Sequence, residues 1–139
     1  MGWQNTIILI FFPIFLCVPI AEGANWKLLA KNTPLEAGTY GDAYYDEDSI
    51  SYPYQTKGLF GMKSDKSYVG VWIKYVFGSS GSLNREMKLL QIISCKQKTI
   101  TTNSIIFDGQ YDYSSPFIDK TFGIEPDTTD EILYKNVCR

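Results

Sequence analysis

The sequence predicts an α+β domain: an antiparallel β-sheet meander with a C-terminal helix packed on it and one disulfide. Three observations predict it. Ser67 to Phe77 (SYVGVWIKYVF) alternates with strand period and carries apolar groups on both faces. Residues 97–108 (QKTITTNSIIFD) form a β-branched run closed by the turn signal Asp108-Gly109. After Pro126 the period changes to a helical one, and the two cysteines beyond Cys17 stand at positions 95 and 138.

The first segment is expected to lie outside the fold. Thr6 to Ile20 is an uncharged apolar run of 15 residues, shorter than the roughly 20 that a membrane-spanning helix needs. Ala21 and Gly23 flank Glu22 as small residues flank a signal cleavage site. Residues 1–23 therefore read as a signal peptide and 24–139 as one domain. Two other readings compete. A membrane anchor would have to tolerate Pro13 and Pro19, and lipidation at Cys17 would follow Leu16 where a small residue is expected. The n-region carries no Lys or Arg.

Trp26 to Ala30 is expected to be an edge strand, broken by Asn32-Thr33-Pro34. Residues 43–46 (AYYD) follow Gly38 and Gly41, and Asp46-Glu47-Asp48 marks a turn. Ser49 to Tyr54 reads as a short strand ended by Pro53, and Lys57 to Lys66, with Gly58 and Gly61, as a loop. In the strongest strand, Val69, Val71, Ile73, Tyr75 and Phe77 share one face, and Tyr68, Trp72 and Val76 the other. That places it centrally, covered on both sides. Trp72 is expected in the core, with a dimer interface as the other reading. Glu86 to Cys95 permits a strand or a short helix; strand is preferred because residues 97–108 then complete a hairpin. Asp127-Thr128-Thr129-Asp130 caps a helix from about Thr128 to Val137, with Ile132, Leu133 and Val137 on its apolar face.

Composition narrows function. The chain has 13 basic and 15 acidic residues, and Glu22 is the only charged side chain in residues 1–23. A mature net charge near −1 gives no long-range attraction for nucleic acid or anionic lipid. With no histidine, triad hydrolysis and imidazole metal sites are excluded, and no cofactor or metal is expected. In an oxidising compartment Cys95 and Cys138 read as a disulfide, contributing about 4 kcal/mol on the chain-entropy model. The other reading is two unpaired thiols. The carboxylate pairs Asp46/Asp48 and Asp108/Asp112 could serve a glycosidase or calcium, but their setting is that of solvated turn residues. No catalytic residue is assigned. Tyrosine is abundant, with ten residues. Tyr44, Tyr45, Tyr52, Tyr54, Tyr111 and Tyr113 are candidate partner-binding positions, because each offers apolar area with a polar tip. They also suit strands.

The order of features resembles the surface-adhesin protein E family of Gram-negative bacteria, over almost the whole mature chain. The matching pieces are Trp26, the Gly41-x-x-Tyr44-Tyr45-Asp46-x-x-Ser49-Ile50 segment and V-W-I-K-Y-V-F at 71–77. Cys95, Tyr111-Asp112, Ile124-x-Pro126-x-Thr128 and the final E-I-L-Y-K-N-V-C continue the match. Phe122 stands where the family carries Trp. The resemblance implies an antiparallel sheet with a C-terminal helix, homodimerisation, and binding of host matrix or serum proteins such as laminin, vitronectin or plasminogen. The expected function is an exported, non-catalytic, adhesin E-like binding domain, periplasmic, secreted or on the outer-membrane surface. A structural or assembly role in the cell envelope is the alternative, with a carboxylate-based glycosidase third.

Overall fold

The computed structural model describes residues 25–35, 39–78 and 84–139. The expected signal peptide, its cleavage site and Cys17 lie outside the described residues, as do Gly38 and most of the Gly78–Ser82 connection. The fold is an antiparallel sheet closed by one C-terminal helix, as the sequence predicts.

The main sheet has seven strands: β1 (Trp26–Pro34), β2 (Tyr40–Asp46), β5 (Tyr68–Phe77), β6 (Arg85–Ser94), β7 (Thr99–Phe107), β8 (Gln110–Tyr111) and β9 (Thr121–Gly123). Their order is β1-β2-β5-β6-β7-β8, with β9 paired to the start of β7. It is a meander with one insertion. Between β2 and β5 lie a 3₁₀ turn (Glu47–Ser49) and a separate hairpin, β3 (Gln55–Gly58) and β4 (Gly61–Ser64). Glu86 to Ser94 is strand rather than helix. β5 is central, paired to β2 and β6. Gly41 lets β2 come close to it: a Cβ there would sit 3.0 Å from the Val76 carbonyl oxygen and 3.1 Å from Phe77 Cβ.

Two expectations fail between β2 and β5. Ser49–Tyr54 is not a strand; Ser51 alone bridges to Gly70. Pro53 lacks a donor, and the Ser49 hydroxyl takes the Trp72 N–H at 2.9 Å in place of a ladder carbonyl. Lys57–Lys66 is not a loop but the β3–β4 hairpin.

Helix α1 (Thr129–Val137) forms where expected. The Thr128 hydroxyl accepts the Glu131 N–H at 3.3 Å, and the Glu131 carboxylate accepts the Asp127 N–H at 2.9 Å, a reciprocal cap. Lys135 pairs with Glu131 one turn away at 2.9 Å. The buried residues of α1 are Leu133 and Val137. They pack with Leu29, Ala43, Tyr45, Val69, Val71, Ile73, Tyr75, Ile93 and Ile100 to form the core. The disulfide joins Cys95 to Cys138, with Cα atoms 5.5 Å apart, so the end of α1 is tied to the end of β6. The Tyr134 hydroxyl repeats that tie by donating to the Cys95 carbonyl at 3.0 Å.

The central strand is not fully covered on both sides. Val69, Val71, Ile73 and Tyr75 are buried, whereas Tyr68, Trp72, Lys74 and Val76 on the opposite face are half-buried. The placement of Trp72 in a closed core is thus corrected. Lys74 explains why that face stays partly wet. Its ammonium lies 4.4 Å from the centre of the Trp26 ring and 5.5 Å from Tyr44, so its stem and two aromatic rings form the cover.

Candidate functional site

The register shows which side chains share the helix-bearing face. Ile73 stands opposite Leu89, and Leu89 opposite Ile105; Tyr75 stands opposite Met87, and Met87 opposite Phe107. Those residues, with Phe77, continue the apolar surface that α1 covers elsewhere. A helix of nine residues is about 14 Å long. Six strands spaced about 4.8 Å apart make a sheet roughly 24 Å wide. One such helix cannot cover the face, and among the described residues the end of it over Met87, Leu89 and Phe107 is left open.

The open part is a cleft of about 790 Å³, within the size range of small-ligand sites. Its floor is Tyr75, Phe77, Met87, Leu89, Ile105 and Phe107. Pro34, Leu35 and Thr39, at the β1–β2 connection, form one wall; Ser114 to Phe117 and Phe122 form the other. Phe77 and Phe107 lie 6.0 Å apart, and the Arg85 guanidinium sits 4.3 Å over the Phe107 ring. At 41% and 47% exposed, Phe117 and Phe122 present large rings to solvent at the rim. Asp112, also on the lining, accepts the Ser114 N–H at 3.0 Å and the Ser114 hydroxyl at 2.8 Å, which shapes the wall. The arrangement suits an apolar group with polar contacts at its edge.

Electrostatics near the cleft follow from burial. Asp130, in the first turn of α1, is pushed above the usual carboxylate range by desolvation. Burial likewise raises the Tyr75 hydroxyl, and the charge of Asp130 adds to the effect, so Tyr75 stays neutral. Gln91, on the same face between Val71 and Thr102, is 6% exposed, and its Oε1 has no partner among the described residues.

Three of the four paired carboxylates, Asp46, Asp108 and Asp112, make local structural contacts. Asp46 is buried and accepts the Asp48 N–H at 3.1 Å. Asp108 accepts the Glu86 N–H and two Arg85 N–H groups, each at 3.0 Å. Those contacts, the backbone N–H first and Arg85 second, hold its carboxyl below the usual range. Among the described residues no group of His, Cys, Asp and Glu is placed to hold a metal ion.

The six tyrosines do not form one surface. Tyr45 is 6% exposed and belongs to the core, so it is no part of any partner surface. Tyr44 is half-buried beside Lys74. Tyr52 and Tyr54 are exposed, and Tyr54 meets Tyr68 edge-on at 4.9 Å. Tyr111 and Tyr113 stack at 5.7 Å at the β8 edge. Since β2 and β8 are four strand steps apart in the sheet order, Tyr44 and Tyr111 are separated by roughly 19 Å. The cleft residues, by contrast, read in sequence only as strand interior. The available signal was the shortness of the helix relative to the apolar positions it had to cover.

Neither protein-family models, nor curated proteins, nor solved structures give a match to this chain. Among the described residues no helix is long and apolar enough to cross a membrane.

Proposed function

We propose that the chain is an exported, non-catalytic binding domain that receives an apolar segment of a partner protein in the β6–β7 cleft. The observation that carries this reading is the open end of the helix-bearing face, about 790 Å³ of space over an aromatic and aliphatic floor. A water-exposed apolar concavity rimmed by polar groups is a binding feature. The Cys95–Cys138 bond suits an oxidising compartment, whether periplasmic, secreted or surface. Asp46, Asp108 and Asp112 are engaged in turn contacts and an ion pair, which supports a role without chemistry. The resemblance to surface-adhesin protein E names laminin, vitronectin and plasminogen as the partners to try first.

The test uses immobilised protein, these three ligands, and Phe117→Asp/Phe122→Asp, which alters only exposed rim residues. Saturable binding of one ligand, weakened about tenfold or more in the variant, is expected, since loss of two aromatic anchors removes well over 1.4 kcal/mol. Binding undiminished in the variant removes the cleft as the site. Failure of all three ligands redirects the search to envelope proteins.

A further inference from the structure

The β3–β4 hairpin forms a two-stranded sheet of its own, outside the main sheet. Isolated hairpins are marginal in water, and this one is held at its base. The Asp65 N–H donates to the Tyr54 carbonyl at 2.8 Å, Tyr54 meets Tyr68, and Ser51 exchanges hydrogen bonds with Gly70 at 2.8 and 2.9 Å. Gly58 faces Gly61, leaving Leu59 and Phe60 as the turn, and Gly61 at φ +121° reverses the chain as glycine readily does. The turn presents the two most exposed large apolar side chains described: Leu59 at 92% and Phe60 at 98%. Met62 follows at 63%. A turn normally carries polar residues. Here it carries an apolar point that the other described residues leave exposed.

The register places charge behind that point on both sides. Lys57 stands opposite Met62 and Lys63 opposite Thr56, so the two lysines project from opposite faces of the ribbon. Lys66 follows at the base, also exposed. The one carboxylate in the segment, Asp65, accepts the Ser67 N–H at 2.9 Å. At about 3.3 Å per strand residue, Lys57 and Lys63 lie roughly 7–10 Å behind the turn. That matches the depth, about 5–10 Å, to which an interfacial element buries its apolar part below the lipid headgroups.

We propose that the β3–β4 hairpin docks on an anionic lipid bilayer, inserting Leu59, Phe60 and Met62 while Lys57, Lys63 and Lys66 contact the headgroups. Two observations select a bilayer over a protein groove. The apolar groups sit at a projecting point rather than on a face, and the cations surround it on both sides, as a planar anionic surface requires. The overall charge of the chain is −2, so long-range steering is absent and the hairpin acts at contact range.

The experiment is cosedimentation of the purified protein with vesicles of phosphatidylcholine, with and without phosphatidylglycerol. All variants carry the same N-terminal sequence as the wild type. Wild-type protein is expected to sediment with the phosphatidylglycerol vesicles. Leu59→Asp/Phe60→Asp lowers that partition at least about tenfold, and Lys57→Gln/Lys63→Gln/Lys66→Gln removes the preference for the anionic vesicles. Both sets change exposed residues, and an unchanged denaturant midpoint confirms that the fold is retained. As an independent readout, Phe60→Trp is expected to add emission that shifts to the blue with anionic vesicles and is quenched by a quencher placed in the acyl chains. Absence of binding to both vesicle types, or Phe60→Trp emission that stays solvent-exposed, overturns the proposal; a hairpin made for a protein partner gives that result. Binding that survives Leu59→Asp/Phe60→Asp overturns it as well.

Discussion

Over β2 and the Val69–Ile73 stretch of β5, the helix-bearing face of the sheet is closed; over β6 and β7 toward Phe77 and Phe107, the same face is open. Both parts are paved with similar side chains. Val71, Ile73 and Ile93 are no more than 1% exposed, whereas Phe77, Met87, Leu89 and Phe107 are only partly buried. The difference therefore comes from cover, not from composition. Leu133 and Val137 descend on one part, whereas the open part is flanked at its sides by Pro34, Leu35 and Thr39 and by the 114–117 segment and Phe122. Apolar area removed from water stabilises the chain at about 25 cal/mol per Å², so the closed part carries stability while the open part holds that energy available to a ligand.

The sharpest way to break this comparison is to cut one residue from each part. Leu133→Ala, at 1% exposure, is expected to cost about 3–5 kcal/mol by leaving a cavity under the helix. Phe107→Ala, in the half-buried cleft floor, is expected to cost about half as much. Denaturant midpoints measure both, and equal losses would erase the distinction between the two parts.

Next in size is the tie that holds the cover. Replacing Cys95 and Cys138 together by Ala is expected to cost about 2–4 kcal/mol, seen as a lower unfolding midpoint than that of the oxidised wild type. A midpoint that does not move would mean that Leu133, Val137 and the Tyr134 hydrogen bond hold the helix without it.

On the opposite face of the sheet, Trp72→Ala is expected to cost about half of the 3–5 kcal/mol seen for a closed-core tryptophan, because Trp72 is half-buried. Sedimentation of the same variant separates the two roles: loss of a wild-type dimer, with the monomer still stably folded, would make that face a subunit interface.

Gln91 sharpens the comparison from inside. Its Oε1, without a partner among the described residues, would then cost about 1–3 kcal/mol in desolvation, so Gln91→Met is expected to leave stability unchanged or to raise it by about 1–2 kcal/mol. A marked loss would show that the amide is satisfied in solution.

The smallest effect is electrostatic. Burial raises the Asp130 carboxyl, so the folded chain holds that proton more tightly than the unfolded chain does. The contribution of this group to stability is therefore greatest below the ordinary value of 3.8. It declines as pH rises through the raised value and is flat above it. Asp130→Asn removes the decline. The difference in midpoint between wild type and variant should slope downward through that window. An upward slope would mean that the positive end of the helix outweighs burial.

The strands and helix were legible where period and caps were strong: Tyr68–Phe77, Thr99–Phe107, and Thr128 capping Glu131. Lys57–Lys66 reads as a loop in sequence because both faces of its hairpin are in water, so no hydrophobic alternation marks it. Ser49–Tyr54 misled in the other direction: its tyrosines and isoleucine suit a strand, yet the 3₁₀ turn and Pro53 leave only Ser51 in a bridge. The candidate tyrosines could be named but not placed. Which of them faced the core depended on register, and the distance between them on sheet order, neither of which residue type encodes. The cleft was invisible because Leu89 and Ile105 look like Ile93 and Ile100 until the span of the helix is compared with the width of the sheet.

The position of α1 after every strand gives the molecule an order of completion. While residues 129–138 are still being made, Val69, Val71 and Ile93 lack the α1 cover, and Cys95 lacks Cys138. Because the described strands precede α1 in the chain, the core closes only when Leu133 and Val137 are present, and the Cys95–Cys138 bond cannot form before that segment is available. A chain interrupted before that point is a sheet with one whole face greasy, recognisable as unfinished by any chaperone that senses exposed apolar surface. The closure of the described core and the Cys95–Cys138 bond thus both wait on residues 129–138.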